Sequence, residues 1–354
     1  MMSSTAVLLC AISQAAAWSA ESHAVVAKVA GSLLRTNESE ILQGIMGWEV
    51  DHDLIQDQLE SVSMYADAAA QDWSKNYHIA HIRALSGAGG HVIDCGQWGS
   101  NRCLTTGLAN WTAKAASPAA SQSVRRESLK FVVHVVADAT QPLHVGFFSD
   151  RGGHKIDNVW DAYTWPQYKA EYNLHELWDK GLFYYHEVMS KVGRGEATEQ
   201  EARADLLRSK RGDSDRLAAE LIKWLHRNDD ALIHKYDMSL PVDADVTNTT
   251  VAYEHALRMV LETGAVVLRY PYQEPDGTAL VTGRRVSEEY MTSRRTVMRH
   301  QLMKASVRLA GLLRSIALTF SSKQPVTTTT IPPSADAADA IVEGLDRLAL
   351  NSKA

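Results

Sequence analysis

Nine residues of this chain could do chemistry together: Trp18, His23, Asp67, His78, His134, Asp138, His144, His175 and Asp179. Two pairs, His134/Asp138 and His175/Asp179, sit four residues apart in helix-like text. That spacing puts both side chains of a pair on one helix face, roughly 5–6 Å apart at Cβ, close enough to share one ion. Imidazole nitrogen and carboxylate oxygen are the ligands that zinc accepts. A lone histidine on an apolar face is more often a satisfied core residue, and a lone H-x-x-x-D pair more often a surface hydrogen bond. Two such pairs, followed by His144 just past the helix-breaking Pro142, outweigh that reading. The turn at Pro142 can bring His144 back beside the end of the helix that carries His134 and Asp138. Asp67 comes from an earlier helix and His78 follows in the run YHIAH. The chain therefore reads as a multi-zinc hydrolase.

The N-terminus adds a further ligand. Ala6–Ile12 is apolar and runs into Ala15-Ala16-Ala17, the pattern of a signal peptide cleaved before Trp18, although Lys and Arg are missing from the segment before it. The alternative is a buried N-terminal helix. Cleavage would free an α-amine at Trp18, which with its own carbonyl oxygen can chelate a metal, and His23 lies five residues on. The apolar run is too short to span a bilayer, and no later stretch reaches about 18 uncharged apolar residues. A soluble mature chain without membrane insertion is expected.

The bulk composition narrows the partners. The chain has 354 residues, 45 % of them hydrophobic, and a formal net charge of -6. That charge gives no global basic field for nucleic acid or anionic membrane, so a polyanion would be read only where bound cations reverse the sign locally. Of three cysteines, Cys10 would leave with the signal. Cys95 and Cys103 remain, either as a disulfide stapling a short loop, worth about 2–3 kcal/mol, or as two free thiols. Sequons at Asn37, Asn110 and Asn248 suit glycosylation on a secretory route.

The elements that must position these residues are helices. Ser22 is expected to cap a helix with Val25, Val26, Val29 and Leu33 on its apolar face. Helical text recurs at Glu38–Met46, Leu54–Trp73, Ser123–Ala139 and Leu174–Val192, then at Arg216–His226, Val251–Leu268 and Val286–Phe320. Thr198 and Glu201 form a capping box opening a helix through Leu207. Strand text is nearly absent, and loops are expected at Ser86–Asn101, Gly146–Tyr168 and Pro271–Gly283. The expected organisation is a signal at 1–17, an all-α domain at 18–320, a Thr/Pro-rich linker at 321–334, and a tail at 335–354 with a short amphipathic helix.

The blocks WSAESH at Trp18, YAD at Asp67, YH at His78, FVVHVVADATQPLH from Phe131 and YNLHELWD from Tyr172 resemble the zinc-dependent, single-strand-specific class I nucleases. That family includes 3′-nucleotidase/nucleases and shares its fold with bacterial zinc-dependent phospholipases C. Cys95 and Cys103 match a cysteine-bounded loop of the family. The resemblance implies a compact all-α domain with three zincs in a cleft. By position, Asp67, His78, His134 and Asp138 would take the first zinc, and His144, His175 and Asp179 the second. The Trp18 amine and carbonyl, His23 and Asp138 would take the third, so that Asp138 bridges two ions. The implied reaction is attack of a metal-activated hydroxide on phosphorus, with single-stranded DNA, RNA and 3′-nucleotides as substrates of a secreted monomer.

The substrate side departs from the family pattern. His81 stands where the family usually has Asp, Ala70 where it often has Arg, and Ile79 where it often has a stacking aromatic. The family's D-x-G-G-N becomes Asp150-Arg151-Gly152-Gly153-His154. His81 or Arg83 is expected to serve the phosphate instead, and Tyr163, Trp165, Tyr168 and Tyr172 to offer stacking faces. Two other readings are a phospholipase C of the same architecture and a zinc-holding homologue that has lost catalysis.

Overall fold

The computed structural model describes residues 18–69, 73–84, 91–95, 102–157, 159–160, 172–209, 212–227, 236 and 244–323. Residues 1–17, Ala70, Tyr163, Trp165 and Tyr168 lie outside them, as does the tail from residue 324 onward. Among the described residues the architecture is all-α, with one antiparallel hairpin of two four-residue strands.

Helix α1 (Ala20–Ser32) is capped by Ser19, whose Oγ accepts from the Ser22 backbone N–H at 3.3 Å. The expected cap, Ser22, is therefore already inside the helix. Cap and helix start one turn earlier because the backbone N–H of Ser19 is itself held by the carbonyl of Asp179 at 2.9 Å. Helix α2 spans Thr36–Met46. The expected continuous helix Leu54–Trp73 is instead α3 (Ile55–Val62) and the single turn α4 (Tyr65–Ala68). The break at Ser63–Met64 leaves the Ser63 carbonyl to receive a side chain, as described below.

Helices α5 (Leu104–Ala116) and α6 (Gln122–Asp138) pack face to face, with Trp111 stacked on Phe131 at 4.1 Å between centroids. The C-terminal half of α6 is buried on every side, and His134 and Asp138 are buried with their apolar neighbours. Such a helix end needs its last carbonyls satisfied. Thr263 of α11 (Thr249–Val267) donates to the Ala139 carbonyl at 2.7 Å. Gln301 of α12 (Glu288–Ser322) donates to the Thr140 carbonyl, also at 2.7 Å. Helices α11 and α12 thus fix the end of α6 in place.

Past that end, a 3-10 turn at Pro142–Val145 has proline in its first turn and the side chain of Gln141 as its cap. Strand β1 (His81–Ala84) pairs with β2 (His91–Asp94) in register His81–Asp94. This hairpin replaces part of the loop expected over Ser86–Asn101. On its other side, β1 and the residue before it bind the turn segment, through Ala80 N–H to the His144 carbonyl at 2.8 Å and Ile82 N–H to the Gly146 carbonyl at 3.0 Å.

The run Leu174–Val192 is helical but not uniform. Asn173 caps α7 (Leu174–Glu176) in a reciprocal box with Glu176. A π segment, Leu177–Gly181, follows and leads into α8 (Leu182–Gly193). Within this π segment the Asp179 carbonyl accepts from the Ser19 backbone N–H. Helix α9 (Glu199–Ser209) opens with the expected capping box, the Thr198 N–H donating to Glu201 at 2.8 Å. Helix α10 (Ser214–Arg227) packs on α1. Cys95 and Cys103 form a disulfide.

Candidate metal centre

The eight side-chain ligands read from the sequence converge into three sets: His23, His134 and Asp138; Asp67, His78 and His134; and His144, His175 and Asp179. Within each set the ligand atoms lie within 4.8 Å of one another. Asp138 is the hub. Its Oδ2 is 2.9 Å from His78 Nδ1 and 3.2 Å from His134 Nε2. Its Oδ1 is 3.4 Å from His23 Nε2 and 3.6 Å from His144 Nδ1. Asp67 Oδ1 faces His78 Nδ1 at 3.7 Å and His134 Nε2 at 3.5 Å. Asp179 faces His175 Nε2 at 3.3 Å and His144 Nε2 at 3.6 Å.

The surroundings fix the tautomers. His134 Nδ1 lies 2.7 Å from the Ser63 carbonyl, His144 Nδ1 2.7 Å from that of His78, and His175 Nδ1 2.7 Å from that of Gly152. A carbonyl can only accept, so each Nδ1 carries a proton and each Nε2 is the nitrogen that faces the cluster, free to ligate once unprotonated. Metal-ligating histidines are held in this way, with the far nitrogen donating outward. Gln141, absent from the sequence-derived ligand set, donates from Nε2 to Asp179 Oδ1 at 2.6 Å and accepts from the Leu143 N–H. Its sequence signal is its place just before Pro142, inside the FVVHVVADATQPLH block that carries the resemblance.

A metal fits these residues because of what is left over. Buried polar atoms are normally hydrogen-bonded. Here His23 Nε2, His134 Nε2, His144 Nε2, Asp138 Oδ1 and Asp179 Oδ2 are buried without a hydrogen-bond partner. All five point into the sets above, and the three carboxylates supply negative charge that a divalent cation would neutralise. Trp18 is 1 % exposed, and its neighbour Ser19 is bonded to the Asp179 carbonyl, so the backbone at Trp18 reaches the same region.

The cluster perturbs its own protonation. Burial would raise the Asp138 carboxyl, yet His134 and His144 beside it hold it well below the usual carboxylate range. Burial lowers His144 and His134, but the Asp138 charge outweighs it, raising His134 and taking His144 to about 9. His23 falls to about 4 through burial and the neighbouring His134. His175 falls to about 3 because burial, with His154 and His144 nearby, outweighs the attraction of Asp179.

The Asp150–His154 turn supports the second set. Gly152 adopts φ +64°, and a Cβ there would lie 2.2 Å from the Leu143 carbonyl oxygen. Only glycine fits, and its own carbonyl holds His175. Asp150 accepts from Gly153 N–H at 2.7 Å and from the Tyr272 hydroxyl at 3.0 Å, which closes the turn. His154 stacks on His175 with centroids 3.9 Å apart, a contact that its position in the sequence did not announce.

The remaining sequence-read residues are placed as follows. His81 is buried, its Nδ1 3.2 Å from the Gly146 carbonyl, on the strand that borders His144. Arg83, two residues along β1, is exposed. Tyr172 is 5 % exposed and stacked on Trp160, so it presents no open face for a base. Asn37, Asn110 and Asn248 are exposed, and Asn248 also caps α11.

Fold and site together define an all-α protein built around a buried, multi-set histidine–aspartate centre of metal-ligand chemistry. The sequence pattern of the S1/P1 nuclease family matches residues 18–318, and the chain belongs to that family. It is 23 % identical to Endonuclease 1 of Arabidopsis thaliana over 319 residues, covering 87 % of this chain and 90 % of the relative. It is 26 % identical to Nuclease S1 of Aspergillus oryzae over 308 residues, 85 % of this chain and 92 % of that one. With Nuclease P1 of Penicillium citrinum it shares 30 % identity over 166 residues, 46 % of this chain and 57 % of the relative. The family supports an endonuclease-type hydrolase acting on nucleic acid. No described helix is long and apolar enough to cross a membrane.

Proposed function

We propose that this chain is a secreted zinc-dependent nuclease that cleaves single-stranded DNA and RNA to 5′-nucleotides and removes 3′-phosphates from nucleotides. The observation that carries the reading is the set of buried, unpartnered ligand atoms aimed at common points in a member of a nuclease family. Three zincs would be held by the nine residues in the partition given above, with Asp138 shared between two of them. When bound, such ions supply a water of lowered pKa and positive charge beside the departing oxygen.

The chain's own residues then do the following. Carbonyls at Ser63, His78 and Gly152 hold three imidazoles as neutral ligands in fixed orientation. Gln141 holds Asp179. Asp138, already anionic in its surroundings, needs no proton removed before it ligates. The alternation of a strand puts His81 and Arg83 on the same face of β1. His81 would orient the phosphate and Arg83 would meet its charge from the exposed end. Removal of residues 1–17 would free the Trp18 amine, making activity depend on correct processing, and the three exposed sequons suit the same secretory route.

The test is one purified sample assayed against single-stranded DNA, 3′-AMP and phosphatidylcholine, with and without chelator. Turnover of the first two, abolished by chelation, is expected. Turnover of phosphatidylcholine alone would make it a phospholipase, and retained zinc with no turnover would make it a binding protein. Arg83→Ala is expected to lower kcat/KM on DNA, and an unchanged value removes Arg83 from the site. One extra residue left before Trp18 is expected to cost one zinc per chain, and full metal content and activity in that protein would refute chelation by the terminus.

A further inference from the structure

A cavity lies away from the candidate metal ligands, between α10 and α12. It measures about 360 Å³, a size in the range of small-ligand sites. One face of α12 lines it with Thr292, Arg295, Thr296, Arg299 and His300, spaced by three and four residues so that all share a stripe. Trp224 of α10 forms the facing wall.

The charge around this cavity is not balanced. Arg295 donates from Nε to His186 Nδ1 at 3.0 Å and from Nη2 to Ser190 Oγ at 3.4 Å, both neutral partners. It forms no ion pair with a carboxylate among the described residues. The nearby carboxylate, Glu220, is already held by Arg194 at 3.1 Å and reaches Arg299 only at 3.8 Å. Arg194 in turn is shared with Glu196. Glu288 lies one turn before Thr292, where it accepts from the Tyr185 hydroxyl. The imbalance shows in the groups nearby. Burial and the neighbouring Arg299 lower the Arg295 guanidinium, and burial with Arg295, Arg299 and Arg194 pushes His186 down to about 3. Two guanidiniums one helical turn apart, Arg295 with no carboxylate partner among the described residues and Arg299 with Glu220 only at 3.8 Å, are a site for a tetrahedral oxyanion, which the fork geometry of arginine fits.

We propose that this cavity is a phosphate-binding site distinct from the metal centre, in which Arg295 and Arg299 hold the phosphate group of a nucleotide and Trp224 walls the attached sugar or base. The hydroxyls of Thr292 and Thr296 stand on the same stripe to complete the oxyanion's hydrogen bonds. The choice of a nucleotide phosphate over another oxyanion rests on the nuclease reading above.

The experiment uses the intact metal-loaded enzyme. A labelled twelve-nucleotide single strand with methylene in place of each bridging 3′ oxygen, the oxygen that would leave, keeps its charge and is not cut, so binding is read by fluorescence anisotropy without turnover. Inorganic phosphate is titrated in parallel by calorimetry. Arg295→Gln/Arg299→Gln is expected to raise the strand's Kd about tenfold or more and to lower the slope of log K against log salt by about one per arginine. Loss confined to the strand assigns the site to a strand phosphate, and loss of one phosphate-binding event assigns it to the free ion. Arg299→Gln alone, at a side chain one-third exposed, guards against misfolding, and Arg299→Lys is expected to restore part of the affinity. Unchanged strand affinity, salt slope and phosphate stoichiometry in folded variants would overturn the proposal. A wild type that binds the strand but leaves natural DNA intact would remove the nuclease reading and keep this site.

Discussion

Replacing Gln141 by Leu tests whether the metal centre depends on residues that touch no metal. Gln141 is fully buried, and its Nε2 lies 2.6 Å from Asp179 Oδ1, the carboxylate facing both His144 and His175. Its Oε1 accepts from the Leu143 N–H and so shapes the turn that presents His144. A hydrogen bond to a charged group contributes about 1.5–3 kcal/mol, which corresponds to roughly tenfold to a hundredfold in affinity. Loss of residues behind metal ligands costs a similar factor, about 10–100-fold. Zinc competition against a chromogenic chelator at neutral pH is expected to show one ion, that of His144, His175 and Asp179, loosened by this factor, with the others held as before. Thermal melting of the chelated variant separates a metal effect from a folding effect. Zinc affinities all within about twofold of the wild type, in a folded variant, would refute the reasoning that Gln141 orients Asp179.

Asp138→Asn removes the charge that four imidazoles share; elemental analysis is expected to find fewer than two zincs per chain and assays no turnover, and three retained zincs would contradict it. Gly152→Ala places a methyl against the Leu143 carbonyl and forces a positive φ on alanine. A loss of at least about 2 kcal/mol, read as a lower Tm, is expected, and an unchanged Tm rejects the close approach. The metal-free protein should be most stable near pH 6.5. His23 and His175, depressed to about 4 and 3, bind fewer protons folded than unfolded, so their contribution is present above pH 6.5 and lost as pH falls toward those values. His144, raised to about 9, contributes below pH 6.5 and loses that contribution as pH rises to 9. Urea unfolding of chelated protein across pH 3–10 checks this, and a flat profile counts against the buried charges.

Much of the centre was legible before the fold. The His134/Asp138 and His175/Asp179 spacings state which side chains share a helix face, and Pro142 states that the chain must turn before His144. The capping box at Thr198 and the long helix ending near Phe320 were equally local. The β hairpin was not, because His81–Ala84 is too short to show alternation and is held as a strand partly by the turn segment at His144–Gly146. The cap of α1 was misplaced by one turn, since its position depends on the Asp179 carbonyl, far away in sequence. Tyr172 read as an available aromatic until its packing on Trp160 was seen.

By itself the sequence determined the inventory of candidate ligands and the local pairs, because residue type sets donor chemistry and helical periodicity sets which neighbours face together. Tertiary structure alone decided that Asp138, expected from the resemblance to bridge two ions, faces four imidazoles, that three Nδ1 protons point outward to carbonyls, and that Gln141, Gly152 and His154 stand behind the candidate ligands. Those outcomes depend on distances between segments separated by tens of residues along the chain. Such distances are fixed by the packing of α1, α6, α11 and α12 around one buried carboxylate.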